Sequence, residues 1–289
     1  MTTAIHDGFP IAAIDRRLCV VIAAVAVALT TPGGIAFTVA ADTGFRVESE
    51  VFVKGGDEPV ARSLTLFRDG IAWDFLESQG DGTERQAGGQ AAREIVLHDP
   101  ARERVILIDP ARKLKTQIET VRLERLSVSL ATWARKSDDR LVRWAGGPDF
   151  GEGMTESRER IELVGPRVRY TVDWIAAPSA EAAADYRRFA DTAILLKSLV
   201  RPGGLPPFAR LAINRRVSAV DGIPSAVTLE IDSRAALVTG RSDSLRSTHK
   251  LHPRLLTGDI DRIEEAESQV ALARDVDLAV FMNTPATGE

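Results

Sequence analysis

The side chains that most often do chemistry are sparse in this chain. It has four histidines: His6, His98, His249 and His252. His249 and His252 stand three apart in a stretch of strand composition. That spacing sends them to opposite faces, so they do not grip one metal. His98 precedes Asp99, the order of a base and its orienting acid. Both sit where Asp99-Pro100 opens a reversal, and the expected state there is a turn histidine, bonded locally or solvated. There is no His-Glu-x-x-His, no Gly-x-Ser-x-Gly and no phosphate loop ending in Gly-Lys-Ser/Thr. The 41 Asp and Glu residues are scattered, and spacing alone singles out no acid/base pair among them. No catalytic residue, metal ligand or cofactor is therefore expected, with a hydrolase built from dispersed acids as one alternative. The more informative set is aromatic: Trp73, Phe75, Tyr170, Trp174, Tyr186 and Phe189 are the candidate ligand-binding residues. As the wall of a greasy cavity they would bind by apolar burial, at about 25 cal/mol per Å². The same six also suit a filled seam between sheet and helix. Open volume separates the two readings.

The elements that position these residues centre on a short repeat. His98-Asp99-Pro100-Ala101-Arg102 is followed ten residues on by Ile108-Asp109-Pro110-Ala111-Arg112. Asp-Pro starts a type I turn, because Asp bonds the backbone ahead and Pro presets the next φ. The flanking runs at Ile95, Val105–Ile108 and Leu114–Ile118 read as strands, so an antiparallel meander is expected. Arg102 and Arg112 then read as solvated hairpin arginines rather than a tandem anion site.

Elsewhere Phe45–Val53 alternates apolar and charged residues, as a strand with one wet face does. Gly55-Gly56-Asp57 is turn composition, and Asp69-Gly70 closes a hairpin. The Gly-rich run from Glu77 to Gln90 reads as a loop. Leu123, Leu126, Leu130 and Trp133 form one helical stripe with Thr120 as N-cap, and Trp144 to Gly153 reads as loop. Strands follow at Arg158–Val164 and Val168–Trp174. Ser179 caps the clearest helix, which carries Tyr186, Phe189 and Leu196 and stops at Pro202-Gly203-Gly204. Pro206-Pro207 redirects the chain into 211–219. Strands at Val227–Ile231 and near Ser247–His252 precede an amphipathic helix from about Thr257 to Ala273. The fold class expected is α+β: a curved, mostly antiparallel sheet, an unclosed half-barrel of nine or ten strands. Two or three amphipathic helices cover its concave face.

Arg16-Arg17 ahead of the uncharged stretch 18–41 reads as an export leader, with cleavage near Val39-Ala40-Ala41 and a single domain over 42–289. The alternative is a retained anchor, which would bring membrane association. The one cysteine, Cys19, would leave with the leader, so no internal disulfide is expected. A net charge of -4, with both signs mixed along the chain, argues against a nucleic-acid partner.

Asp69-Gly70-Ile71-Ala72-Trp73-Asp74-Phe75, set after a leader and an alternating strand, resembles the Asp-Gly-x-x-Trp-x-aromatic hairpin of bacterial outer-membrane lipoprotein carriers and their lipoprotein-sorting relatives. That resemblance implies an unclosed barrel with a helical lid that shelters acyl chains. The expected function is thus a periplasmic or secreted, non-enzymatic carrier-like protein whose partner is a lipid or lipoprotein acyl chain. A structural or interaction module with a filled core is the alternative.

Overall fold

A computed structural model describes residues 44–78, 93–147, 149–232 and 243–283. The leader expected at 1–41, and 79–90 of the expected Gly-rich loop, lie outside the described residues. The first six strands follow one another as a meander: β1 Phe45–Val53, β2 Ala61–Arg68, β3 Ile71–Ser78, β4 Arg93–Asp99, β5 Arg104–Asp109 and β6 Leu114–Glu119. Helices α1 (Thr120–Arg135) and α2 (Arg140–Ala145) lead to a second meander. It comprises β7 Met154–Glu156, β8 Arg160–Gly165, β9 Val168–Ala176, β10 Gly222–Ile231 and β11 Asp243–His252. Between β9 and β10 the chain makes α3 (Ala180–Val200) and α4 (Phe208–Ala219). It ends with α5 (Thr257–Leu272), the short β12 (Arg274–Asp275) and α6 (Leu278–Asn283).

The twelve strands of the described residues form one sheet, ordered β12-β6-β5-β4-β3-β2-β1-β11-β10-β9-β8-β7. The two meanders join where β1 pairs antiparallel with β11, Val47 opposite Leu251. β12 pairs with β6 in parallel, and the other pairings are antiparallel. The end strands β12 and β7 each have one neighbour, so the sheet is unclosed. The α+β class and the antiparallel, open sheet agree with expectation. Among the described residues, twelve strands and six helices exceed the counts expected. No helix among the described residues is long and apolar enough to cross a membrane.

The turn chemistry follows the sequence. Asp69 (φ 53°) and Gly70 (φ 74°) both occupy left-handed backbone, the form a two-residue hairpin closing β2 on β3 requires. The Asp-Pro repeat uses one device twice. Asp99 Oδ1 accepts from Arg102 N at 3.2 Å, and Asp109 Oδ1 accepts from Arg112 N at 2.9 Å. Glu103 and Lys113 then leave each turn at positive φ. The arginines differ from expectation. Arg102 is 65% exposed but bonds Asp99, whereas Arg112 is only 13% exposed. Arg112 bonds Asp109 at 2.6 Å and Phe281 O at 3.1 Å, and its guanidinium lies 5.3 Å from the Phe281 ring centre, which ties α6 to the meander.

Two faces result from strand alternation. On one, Phe45, Val47, Phe67 and Ala72 pack with Tyr186, Phe189 and Ala190 of α3. Leu163, Tyr170 and Val172 pack on the same face with Ala209, Ile213 and Val217 of α4. We call this the α3 face. On the other, Leu66, Trp73, Phe75, Ile95, Leu97, Ile106 and Ile108 pack with Ile263 and Ala266 of α5. Strands β3 to β5 are therefore buried on both sides, which is why Ile95-Val96-Leu97 and Val105–Ile108 are unbroken apolar runs. The expectation that the strands are greasy on one side holds for β1 and β9 and fails for these three.

Two local expectations are corrected. Glu119 rather than Thr120 stands at the N-cap of α1, with no side-chain cap bond. Leu123 and Ala134 are the buried residues of that helix, while Trp133 is 55% exposed. Part of 144–153, read as loop, belongs to α2, whose six residues are too few to show a period. Its cap is Asp139, which accepts from Leu141 N at 2.7 Å. Ser179 does cap α3, accepting from Ala182 N at 3.1 Å.

Candidate functional site

The middle of the α3 face, where β1, β11 and β10 meet, is less covered than its flanks. Leu245 and Val53 are opposite each other and 44% and 43% exposed. Val51, Leu229 and Leu251 on the same face are partly exposed. To either side, Phe45, Phe67 and Ala72 under α3 and Leu163 and Val172 under α4 are buried. Toward the Val53 and Leu245 end of these strands a strip of apolar side chains is therefore partly open to solvent.

Polar groups converge beside it. His249 on β11 faces Ser49 on β1 by register, and Ser247, two residues away, shares its face. His249 Nδ1 is 2.8 Å from Ser49 Oγ and Nε2 is 3.0 Å from Ser247 Oγ. Its ring meets Tyr186 edge-on, with centroids 6.5 Å apart. Burial pushes the imidazole down to about 3, and the charge of Arg210 adds to the effect. Tyr186 is pushed up to about 12 by burial. Asp74, on the α3 face of β3, accepts from Thr65 Oγ1 at 2.7 Å, and burial raises it to about 6.

Arg210 is central to this group. It lies one turn ahead of Ile213, Asn214 and Val217, the buried stripe of α4. Burial pulls its guanidinium below the ordinary value, against Tyr186, Tyr170 and Asp191, which favour its charge. Its Nη1 is sealed from solvent with no hydrogen-bond partner. Asp191 does not supply that partner. Its Oδ1 accepts from Asn214 Nδ2 at 2.8 Å and its Oδ2 from Arg187 Nε at 3.4 Å.

Chemically, the imidazole of this arrangement is a poor general base. An imidazole that protonates near pH 3, with hydroxyls at both nitrogens, is a weak base. His98 is also corrected. It is buried in β4 rather than solvated at a turn, with Nε2 3.2 Å from Thr192 Oγ1, and burial lowers it to about 4. Asp99 does not orient it, since alternation sends Asp99 to the other face, where Arg102 and Arg104 bond it. His249 and His252 do point apart, His252 lying 3.3 Å from Glu48 on the α5 face. Among the described residues no group of three or more His, Cys, Asp or Glu side chains is placed to hold a metal.

The six aromatic residues are divided. Tyr186 and Phe189 pack around Phe67, with ring centroids 6.1 Å and 5.6 Å away. Tyr170 and Trp174 belong to the α4 cluster on the same face. Trp73 and Phe75 point to the α5 face, where Arg262 lies 5.3 Å from the Phe75 ring centre. Four of the six thus share the α3 face and two do not, because Trp73 alternates with Ala72 and Asp74 of that face. The polar members, Arg210, Asp74, Asp191 and the Ser49–His249–Ser247 array, were not singled out as site residues from the sequence. One signal was present: a helical phase over 208–219 puts Arg210 and Asn214 among Ile213 and Val217. A groove of about 260 Å³ lies at the end of β1, lined by Phe52, Val53, Gly56, Thr228 and Arg246.

No family model matches this chain, and no curated protein matches it either.

Proposed function

We propose that the chain is an exported, carrier-like, non-enzymatic protein that holds a lipid or other apolar ligand in a half-barrel, in the manner of lipoprotein carriers. In this reading α3 and α4 roof the concave side of the sheet, and the gap between the areas they cover is the ligand's place. The observation that carries it is the row Val53, Leu245, Leu229, half-open to solvent on the very face where α3 and α4 bury the neighbouring strands. An acyl chain laid there gains about 0.8 kcal/mol for each methylene removed from water, with no catalytic group required. The membrane is then the source of the ligand, and export supplies the compartment.

The test is titration of the full chain with a naphthalene dye whose emission rises in apolar surroundings, beside Leu229→Trp, which fills the gap. Saturation at one dye per chain, weakened tenfold or more in the variant, supports the reading. Absence of saturable binding overturns it. A second reading, an interaction module with a filled core, draws on α1, where Val128 and Trp133 are 68% and 55% exposed. It predicts a partner whose binding is lost in Trp133→Ala and unaffected by Leu229→Trp.

A further inference from the structure

The outward half of α1 is apolar and cationic at once. At 3.6 residues per turn, Val128 and Trp133 bound an arc of about 140° on the helix. It holds Val121, Arg122, Arg125 and Thr132 as well, all six exposed, and no acid. Glu124 falls outside it, beyond Val128. The buried Leu123 and Ala134 face the other way, into the protein. Arg122 and Arg125 form no hydrogen bond or ion pair among the described residues. The cationic character continues past the helix, with Lys136 at its C-cap and Arg140 of α2 both exposed. Arg135 Nε donates to Gly146 O at 3.0 Å and Arg143 Nη1 to Ser137 O at 2.9 Å, which fixes α2 against the end of α1. Residues 120–143 carry six Lys or Arg against three Asp or Glu, a net of +3 in a chain whose net charge is -4.

The pattern itself says what covers such a face. The centre of a protein–protein interface is depleted of charge. Here Arg125 lies one turn from both Val121 and Val128, so cations and apolar side chains interleave along a helix about 24 Å long. A layer of anionic headgroups over acyl chains suits both. Its charge attracts the guanidinium groups, and the boundary beneath takes valine and indole. Tryptophan favours that boundary because its ring is apolar and its N–H is polar.

We infer that the outward face of α1 docks this protein on an anionic phospholipid bilayer. Val121, Val128 and Trp133 enter the interface, and Arg122, Arg125 and Lys136 lie on the headgroups. The inference rests on the carrier reading above for its purpose, since a membrane supplies the ligand there, and on α1 alone for its geometry.

The test is flotation of the full chain with phosphatidylcholine vesicles, with and without about one-third phosphatidylglycerol. Each Lys or Arg near an anionic surface strengthens attachment roughly fivefold. Wild type is therefore expected to bind the anionic vesicles about tenfold or more tightly than the neutral ones, and to leave them at high salt. Arg122→Ser with Arg125→Ser should lose about tenfold or more of that affinity, whereas Arg122→Lys with Arg125→Lys should keep it. Both positions are exposed, so circular dichroism should show every variant folded. Lipid brominated near the headgroup should quench part of the tryptophan emission of wild type, and the quenched part should vanish in Trp133→Phe. Equal binding to the two kinds of vesicle, or a serine variant that binds as wild type does, overturns the inference. Attachment through the uncharged stretch 18–41 would give that result. Absence of vesicle binding also overturns it and leaves α1 to the protein partner of the second reading. The naphthalene dye keeps the two failures apart. Vesicle binding by a protein that takes up no dye upholds the docking face and overturns the carrier reading, and dye uptake without vesicle binding does the reverse.

Discussion

Replacing Asp74 by Asn should stabilise this protein at neutral pH and flatten part of its pH profile. Asp74 is 8% exposed on the α3 face of β3, and burial raises its carboxyl from 3.8 to about 6. The fold therefore favours the protonated form. As pH rises past 3.8 the unfolded chain releases this proton while the folded chain keeps it until about 6. Stability accordingly falls with pH across that window and levels off above it. At roughly 1.4 kcal/mol per pH unit, the ionised group costs the fold about 3 kcal/mol at neutrality. Asn has the same shape, and its Oδ1 still accepts from Thr65 Oγ1, which donates to Asp74 at 2.7 Å. The assay is urea unfolding of both proteins at pH 4, 5, 6, 7 and 8. Asp185 and Asp191, also raised by burial, contribute to both proteins and cancel in the difference. The variant should match wild type near pH 4 and exceed it by about 2 kcal/mol or more at pH 8. Parallel profiles, or a variant less stable at pH 8, would refute the burial argument.

His98 and His249, held near 4 and 3, should show no imidazole titration by NMR between pH 8 and 5, and a midpoint near 6.5 for either would contradict their placement. For His98 the sign runs opposite to Asp74: only the unfolded chain protonates as pH falls through 6.5, so this group's contribution to stability declines from there toward 4. Ser179→Ala removes the bond to Ala182 N and should cost about 1 kcal/mol in urea unfolding, with Ser179→Gly costing less. Gly165→Ala places a Cβ 2.5 Å from the Trp144 ring, and should cost about 1–3 kcal/mol in the same assay.

What the sequence made legible was local. Asp69-Gly70, the two Asp-Pro turns and the Ser179 cap each rest on chemistry within four residues, and each appears in the fold with the bond it implies. Alternation located β1 and β9 because one side of each is wet. It failed at Trp73 and Phe75. Both sides of β3 are buried, and α5, which covers their side, is more than 180 residues further along the chain. The aromatic candidates were therefore pooled across a sheet that separates them. Arg210 escaped notice for a related reason: an arginine reads as surface until the phase of its helix is fixed by Ile213 and Val217. His98 was misplaced because its neighbour Asp99 is a turn residue, while His98 itself is the last inward-facing position of β4.

The proposed apolar ligand site is best tested by native mass spectrometry of the full chain, purified gently from the cells that produce it and then stripped with organic solvent. A population heavier than the polypeptide by the mass of one amphiphile, lost on extraction and regained with oleate, is the predicted result. A single ligand-free mass that takes up no added amphiphile would contradict the account.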